Sequence, residues 1–343
     1  MIKELLKEAF ILKSRGYYKH AIESFYKALE IDNTSSELLL EIADSYYKMG
    51  EIERALSYIE QVLDKNPVQL EALELLKQIF LCKKAWCEAE QTAKNIFCIS
   101  NIPQDLAKIF ELLNKQHRYR EIFEYEISEF CPEILFEMAY AKLALNELVD
   151  AENYINQALN ELVNNKILLL KGKILFRMNR KSECVELLKS LELDETDSEI
   201  MNFVGLVKQY ECDYKKALEN FKIAIKLEPD RDEYYYNCAS TYFKMGDLQQ
   251  AKKYYNLAIL QVPDNQNYHF ALANLYYSER NYKRALEELE FDFFEAKLLK
   301  SIILYDTGYL VLAKKELEKL YQDYPEDEIL LDYKKRIEEE LKI

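Results

Sequence analysis

The stretch Tyr214-Lys215-Lys216-Ala217-Leu218-Glu219-Asn220-Phe221-Lys222-Ile223-Ala224-Ile225 decides how the rest of the chain is read. A small residue at 217, a bulky ring four later and another small residue three beyond share one face of a helix. Tyr18-Lys19-His20-Ala21-Ile22-Glu23-Ser24-Phe25-Tyr26-Lys27-Ala28-Leu29 repeats the pattern, as does Leu248-Gln249-Gln250-Ala251-Lys252-Lys253-Tyr254-Tyr255-Asn256-Leu257-Ala258-Ile259. The first position returns as Ala21, Ala55, Ala89, Ile122, Ala151, Cys184, Ala217, Ala251, Ala285 and Ala313, at intervals of 28 to 34 residues. About a turn-and-helix earlier stands a second small residue: Ala9, Ala43, Ala139, Gly172, Gly205, Ala239, Ala273 or Ser301. Each period is therefore two helices with a notch where their backbones approach. Gly16, Gly50, Gly246 and Gly308 mark the turn between them, and Pro67, Pro229, Pro263 and Pro325 close several units.

This arrangement resembles the tetratricopeptide repeat (TPR) family over nearly the whole chain, in period, in the small-to-bulky spacing and in the closing Pro. The resemblance implies an all-α fold: a right-handed α-solenoid superhelix of about ten helix-turn-helix hairpins. The units run at roughly 2–35, 36–69, 70–103, 104–131, 132–165, 166–197, 198–231, 232–265, 266–292 and 293–327. Units three and four depart most, with Lys77 and Phe110 in first-helix notches and Ile122 and Glu126 in the second-helix positions of unit four. Residues 328–343 alternate apolar and charged faces and read as a C-terminal capping helix. Shortened intervals near Cys131-Pro132 and Phe291-Asp292-Phe293-Phe294 suggest changes of direction. The alternative is a pair of shortened helices with no effect on direction; taken as a border, the first divides the chain into an N-terminal arm, 1–131, and a C-terminal arm, 132–327, followed by the cap, 328–343.

Composition narrows the function. With 343 residues, 49% apolar, and only six Gly and six Pro, the chain is too apolar for disorder and too poor in turn-formers for a strand-rich fold. A net charge of −15 opposes binding to nucleic-acid phosphates or an anionic membrane. Charges interrupt the first ten residues, so no secretion signal is visible, and seven irregularly spaced Cys favour a reducing compartment; a cytoplasmic location is expected. Three His without ligand spacing, Cys82 and Cys87 without a second pair, and no phosphate-cradling glycine motif predict no metal, no cofactor and no enzymatic activity.

What remains is binding. In the family's architecture the first helix of each hairpin lines a concave surface. In units eight to ten that face gives Tyr236, Asn237, Ser240, Phe243, Asn267, Phe270, Asn274, Tyr277 and Tyr305. Aromatic rings supply contact area at low entropy cost and Asn supplies both a donor and an acceptor, so a peptide or protein groove is expected there. In units two and three the same face gives Glu37, Glu41, Asp44, Glu71 and Glu74, a secondary acidic patch suited to a basic segment. Chaperone-binding family members hold a partner's terminal carboxylate with a Lys/Asn/Arg clamp. Asn237 matches one clamp position, but Asn267 and Ala271 stand where basic residues are needed, which disfavours that ligand. The expected function is a non-enzymatic interaction scaffold. The alternative is a bacterial peptide-sensing regulator whose superhelix changes pitch on binding, although no effector segment is seen before residue two.

Overall fold

The computed structural model describes residues 2–191 and 194–341, and it divides into two compact units, residues 1–178 and 179–343. Among the described residues all regular structure is helical. In the first unit α1 (Ile2–Ser14) pairs with α2 (Tyr18–Leu29), α3 (Ser36–Lys48) with α4 (Ile52–Lys65), and α5 (Leu70–Cys82) with α6 (Trp86–Ser100). There α7 (Pro103–Lys115) is followed by a short 3-10 helix, Tyr119–Glu124, then α8 (Pro132–Ala144), α9 (Leu148–Glu161) and α10 (Asn165–Arg177). The second unit comprises α11 (Lys181–Leu188), α12 (Ser198–Tyr210), α13 (Tyr214–Leu227), α14 (Asp232–Met245), α15 (Leu248–Gln261), α16 (Gln266–Ser278), α17 (Tyr282–Glu287), α18 (Phe294–Asp306), α19 (Leu310–Asp323) and α20 (Glu328–Leu341).

These helices follow the repeat boundaries expected from the sequence. The degenerate fourth unit keeps its first helix and reduces its second to the 3-10 segment, and the shortened ninth keeps only six residues in α17. Residue 131, the expected border between two arms, lies inside the first unit, and α10 and α11, expected from the sequence to pair as the sixth hairpin, belong one to each unit. α20 buries Leu330 and Ile337 against α18 and α19, covering the apolar end of its unit; residues 342–343 of the expected cap lie outside the described residues.

Packing explains the period. All ten second-helix notch residues, from Ala21 to Ala313, are fully buried, and the first-helix notch residues are buried too. Space there is short: a Cβ added at Gly205 would stand 2.5 Å from the Phe221 ring, the bulky residue of the same hairpin. Buried apolar residues link neighbouring hairpins in clusters, for example Ala9, Phe25, Ile42, Ile59 and Ile79 in the first unit and Ala251, Leu272, Ala285, Ala296 and Ile303 in the second. Since no hairpin buries its apolar face alone, stability is a sum of adjoining interfaces.

The turn inside each hairpin is left-handed at one residue. Gly16, Gly50, Gly246 and Gly308 hold φ near +80° without strain, while Lys84, His117, Asn146, Asn179, Cys212 and Arg280 occupy the equivalent position at φ of 56° to 62°. Each of these residues thus takes a left-handed φ, at a steric cost wherever a Cβ is present. Arg280 makes no side-chain bond among the described residues, so Arg280→Gly should raise stability by about 0.5–1 kcal/mol, the relief of strain less the added entropy of the unfolded glycine. A urea melt with a higher midpoint and unchanged slope would show it.

Candidate binding surface

In the second unit the first helices α12, α14, α16 and α18 follow one another, and side chains tie each to the next. Tyr234 and Ser198 share a hydrogen bond of 3.1 Å, Asn237 Nδ2 donates to Asn202 Oδ1 at 2.8 Å, and Gln209 Nε2 donates to Thr241 Oγ1 at 2.7 Å. Further along, the Tyr268 hydroxyl donates to Asp232 at 2.6 Å, that of Tyr277 to Asp306 at 2.7 Å, and that of Tyr305 to Glu340 at 2.5 Å. Burial holds the Tyr236, Tyr268 and Tyr277 phenols above the usual range, and the carboxylates of Asp232 and Asp306 raise the last two further. These hydroxyls therefore remain neutral donors across the ordinary pH range.

The expected groove residues divide into two sets on this frame. Tyr236, Phe243 and Phe270 are half-buried rings with part of each open to solvent. Tyr236 stacks on Tyr268 at 5.1 Å between ring centroids and meets Tyr255 at 5.8 Å, while Phe270 stands edge-on to Phe293 at 5.5 Å. Tyr277 and Tyr305 are half-buried as well, with their hydroxyls committed as above. The amide-bearing residues behave differently. Asn237 is 7% exposed and spends its amide on Asn202; Asn274 Nδ2 donates 3.0 Å back to the Phe270 carbonyl; half-buried Ser240 interacts with the Tyr255 hydroxyl. Asn267 is exposed in the first turn of α16. For Asn237 and Asn274 the amide thus has an internal partner that the sequence does not reveal.

The acidic face of the first unit is largely neutralised from within. Lys13 bonds Glu41 and stands 2.7 Å from Asp44, and Lys77 pairs with Glu74 at 2.7 Å. Burial pulls the Lys13 ammonium down, but Asp44 and Glu41 more than offset this and hold it above the usual lysine range. Glu37 and Glu71 remain exposed.

Sequence reasoning missed a cavity of about 250 Å³ in the first unit, lined by α7, α8 and the start of α10. Glu137, 7% exposed, contributes a carboxyl to its wall and accepts 2.8 Å from Asn114 Nδ2, which also donates to the Glu137 carbonyl at 3.0 Å. Asn114 Oδ1 is buried without a partner among the described residues. The Lys166 ammonium lies 3.8 Å from Glu137 and 4.3 Å from the centre of the Phe136 ring. Burial pushes the Glu137 carboxyl up, only partly countered by Asn114 and Lys166. The one sequence signal was Glu137 itself, two positions before the Ala139 notch, where its counterpart in the eighth unit is Asn237.

Among the described residues no group of three or more His, Cys, Asp or Glu is placed to hold a metal ion, and no helix is long and apolar enough to cross a membrane. The family model described as tetratricopeptide repeat matches residues 13–79 and 211–275. A TPR repeat-containing protein of Methanocaldococcus jannaschii is 25% identical over 291 residues, covering 73% of this chain and 48% of that protein, so the chain spans about half its relative's length. Among solved structures, the Cut9-Hcn1 hetero-tetramer of APC/C aligns with a TM-score of 0.62 at 11% identity, covering 98% of this chain and 76% of that one. The human IFIT1 dimer with PPP-AAAA gives 0.60 at 16% identity, covering 96% and 88%. A tetratricopeptide repeat protein from Parabacteroides merdae gives 0.55 at 14%, covering 70% and 98%. At these identities the structural likeness is one of fold.

Proposed function

The chain is a tetratricopeptide-repeat protein, and from that premise we propose that it is a non-enzymatic scaffold binding a peptide or protein segment on the first-helix face of its second unit. The observation that carries this reading is the half-exposed set Tyr236, Phe243 and Phe270 on α14 and α16, with Tyr236 and Phe270 each braced by further rings. Rings braced this way lose little entropy when a ligand covers them, and partly buried aromatics are the usual anchors of binding energy. Tyr277 and Tyr305 flank them with ring area and with hydroxyl oxygens that can still accept, their protons being given to Asp306 and Glu340, and Asn267 is the amide left open to a ligand backbone. Asn237, Ser240 and Asn274 support the face from beneath rather than reading the ligand. The −15 net charge favours a protein partner over a nucleic acid, and seven free cysteines suit a reducing compartment such as the cytoplasm.

Affinity capture from the native cell, with intact protein beside a Tyr236→Ala/Phe270→Ala double variant, tests the reading. The partner retained by the intact chain should bind the variant more weakly by about 2 kcal/mol, with helical circular dichroism unchanged. Equal retention by both proteins would reject the aromatic face as the binding surface.

A further inference from the structure

The cavity of the first unit has the composition of a site for a cation, and one of the chain's own cations already sits in it. Lys166 hangs over the Phe136 ring and points its ammonium at Glu137, yet its side chain is 67% exposed and its ion pair is long at 3.8 Å. Glu137 is by contrast nearly sealed from water, and its best donor is the uncharged amide of Asn114. A buried carboxylate held mainly by a neutral donor gains from a closer, better-directed cation. Glu111 and Glu133 add two further carboxylates to the wall; Glu111 is already paired with Lys115 at 2.8 Å and stands 3.6 Å from Lys108, so Glu137 is the carboxyl an arriving cation would serve.

We propose that this cavity receives an arginine side chain from a partner segment, its guanidinium replacing the Lys166 ammonium between the Phe136 ring and the Glu137 carboxyl. Arginine fits better than lysine on three counts. Its planar cation stacks on an aromatic face, it bonds a carboxylate through two parallel N–H groups, and it sheds water more readily than an ammonium. Lys166 leaves at little cost because its side chain is mostly exposed and its 3.8 Å contact with Glu137 is long, so its ammonium gives up little that water does not restore. The site rests on the scaffold reading for the existence of a partner segment, but it is independent of the aromatic face of the second unit.

Proton linkage gives the site a signature. Glu137 is faced by Asn114, Glu111 and Lys108 from α7 and by Lys166 from α10, with Glu133 one turn before it on α8. Since its carboxyl lies above the ordinary range, an arriving guanidinium favours release of any proton it holds, and binding tightens as pH rises through the Glu137 titration.

The test uses the full chain and two blocked tripeptides, acetyl-Gly-Arg-Gly-amide and its citrulline counterpart, which keeps the shape and removes the charge. Titrations followed by NMR should show the arginine probe binding at least about tenfold more tightly than citrulline. Lys166→Gln should tighten it by about two- to fivefold by removing the competitor. Glu137→Gln should abolish the preference for arginine, and Phe136→Leu, which leaves the carboxyl in place and serves if the first variant fails to fold, should weaken it. Absence of binding by either probe, equal binding of the two, or a preference that survives the Glu137 and Phe136 changes would overturn the proposal. Because the Tyr236→Ala/Phe270→Ala variant should bind the arginine probe like the intact chain, failure of either site is read separately.

Discussion

Phe221→Ala is expected to destabilise the hairpin of α12 and α13 by about 3–5 kcal/mol, the cost of emptying a fully buried phenyl position. The ring packs among Ala217, Leu218 and Cys238 and against the bare backbone of Gly205, so its loss opens a cavity that rigid helix backbones cannot collapse. Gly205→Ala acts on the same contact from the other side: its methyl would begin 2.5 Å from the ring, and overpacking of that kind costs about 1–3 kcal/mol. Combined, the two changes should be far from additive, because the alanine at 205 projects into space vacated by the ring. A double-mutant cycle by urea denaturation measures the coupling. Hydrogen exchange should place the damage mainly in α12 to α14, since a repeat array passes strain chiefly to neighbours. Uniform loss of protection throughout the second unit would contradict a stability built from local interfaces.

The same contact explains what the sequence made legible. Small-to-bulky spacing is a property of one helix face, so Ala217 and Phe221 announce their role without knowledge of any partner, and the repeat boundaries follow. Left-handed turns were visible only where glycine occupies them; Lys84, His117 and Arg280 adopt the same φ with side chains that advertise nothing. The binding face was legible as a position but not as a chemistry. Helical phase puts Asn237 on the first-helix face, yet whether its amide reaches a ligand depends on Asn202, which lies opposite it on the preceding first helix. The acidic patch failed to remain bare for a like reason, since Lys13 arrives from the neighbouring hairpin to meet Glu41 and Asp44. Glu137 was hidden among many carboxylates because burial is a property of the assembled α7, α8 and α10, and no local pattern encodes it.

Asn114→Leu should cost about 3 kcal/mol at neutral pH, and the cost should shrink towards acid. The substitution keeps the branched shape and removes the amide that donates to both the Glu137 carboxyl and its backbone carbonyl, leaving two buried acceptors without that donor. Losing the orphaned Asn114 Oδ1 at the same time returns part of the loss, which keeps the figure from being larger. The pH dependence follows from the direction of the Glu137 shift. Its folded carboxyl lies above the unfolded value of about 4.3, so its contribution to stability is fully present below that pH and is lost as pH rises through the folded value. Asn114 is an interaction that lowers the folded value; without it the carboxyl rises further and the loss continues to higher pH. Stability of the variant relative to the intact chain should therefore fall between mildly acidic and neutral pH, as measured by urea melts of the two proteins in parallel, which cancels the titration of every other carboxylate. In a Glu137→Gln background the pH-dependent part should vanish while the carbonyl part remains. A pH-independent difference with Glu137 present would mean that Asn114 holds the backbone alone and that the carboxyl of Glu137 is already satisfied by Lys166.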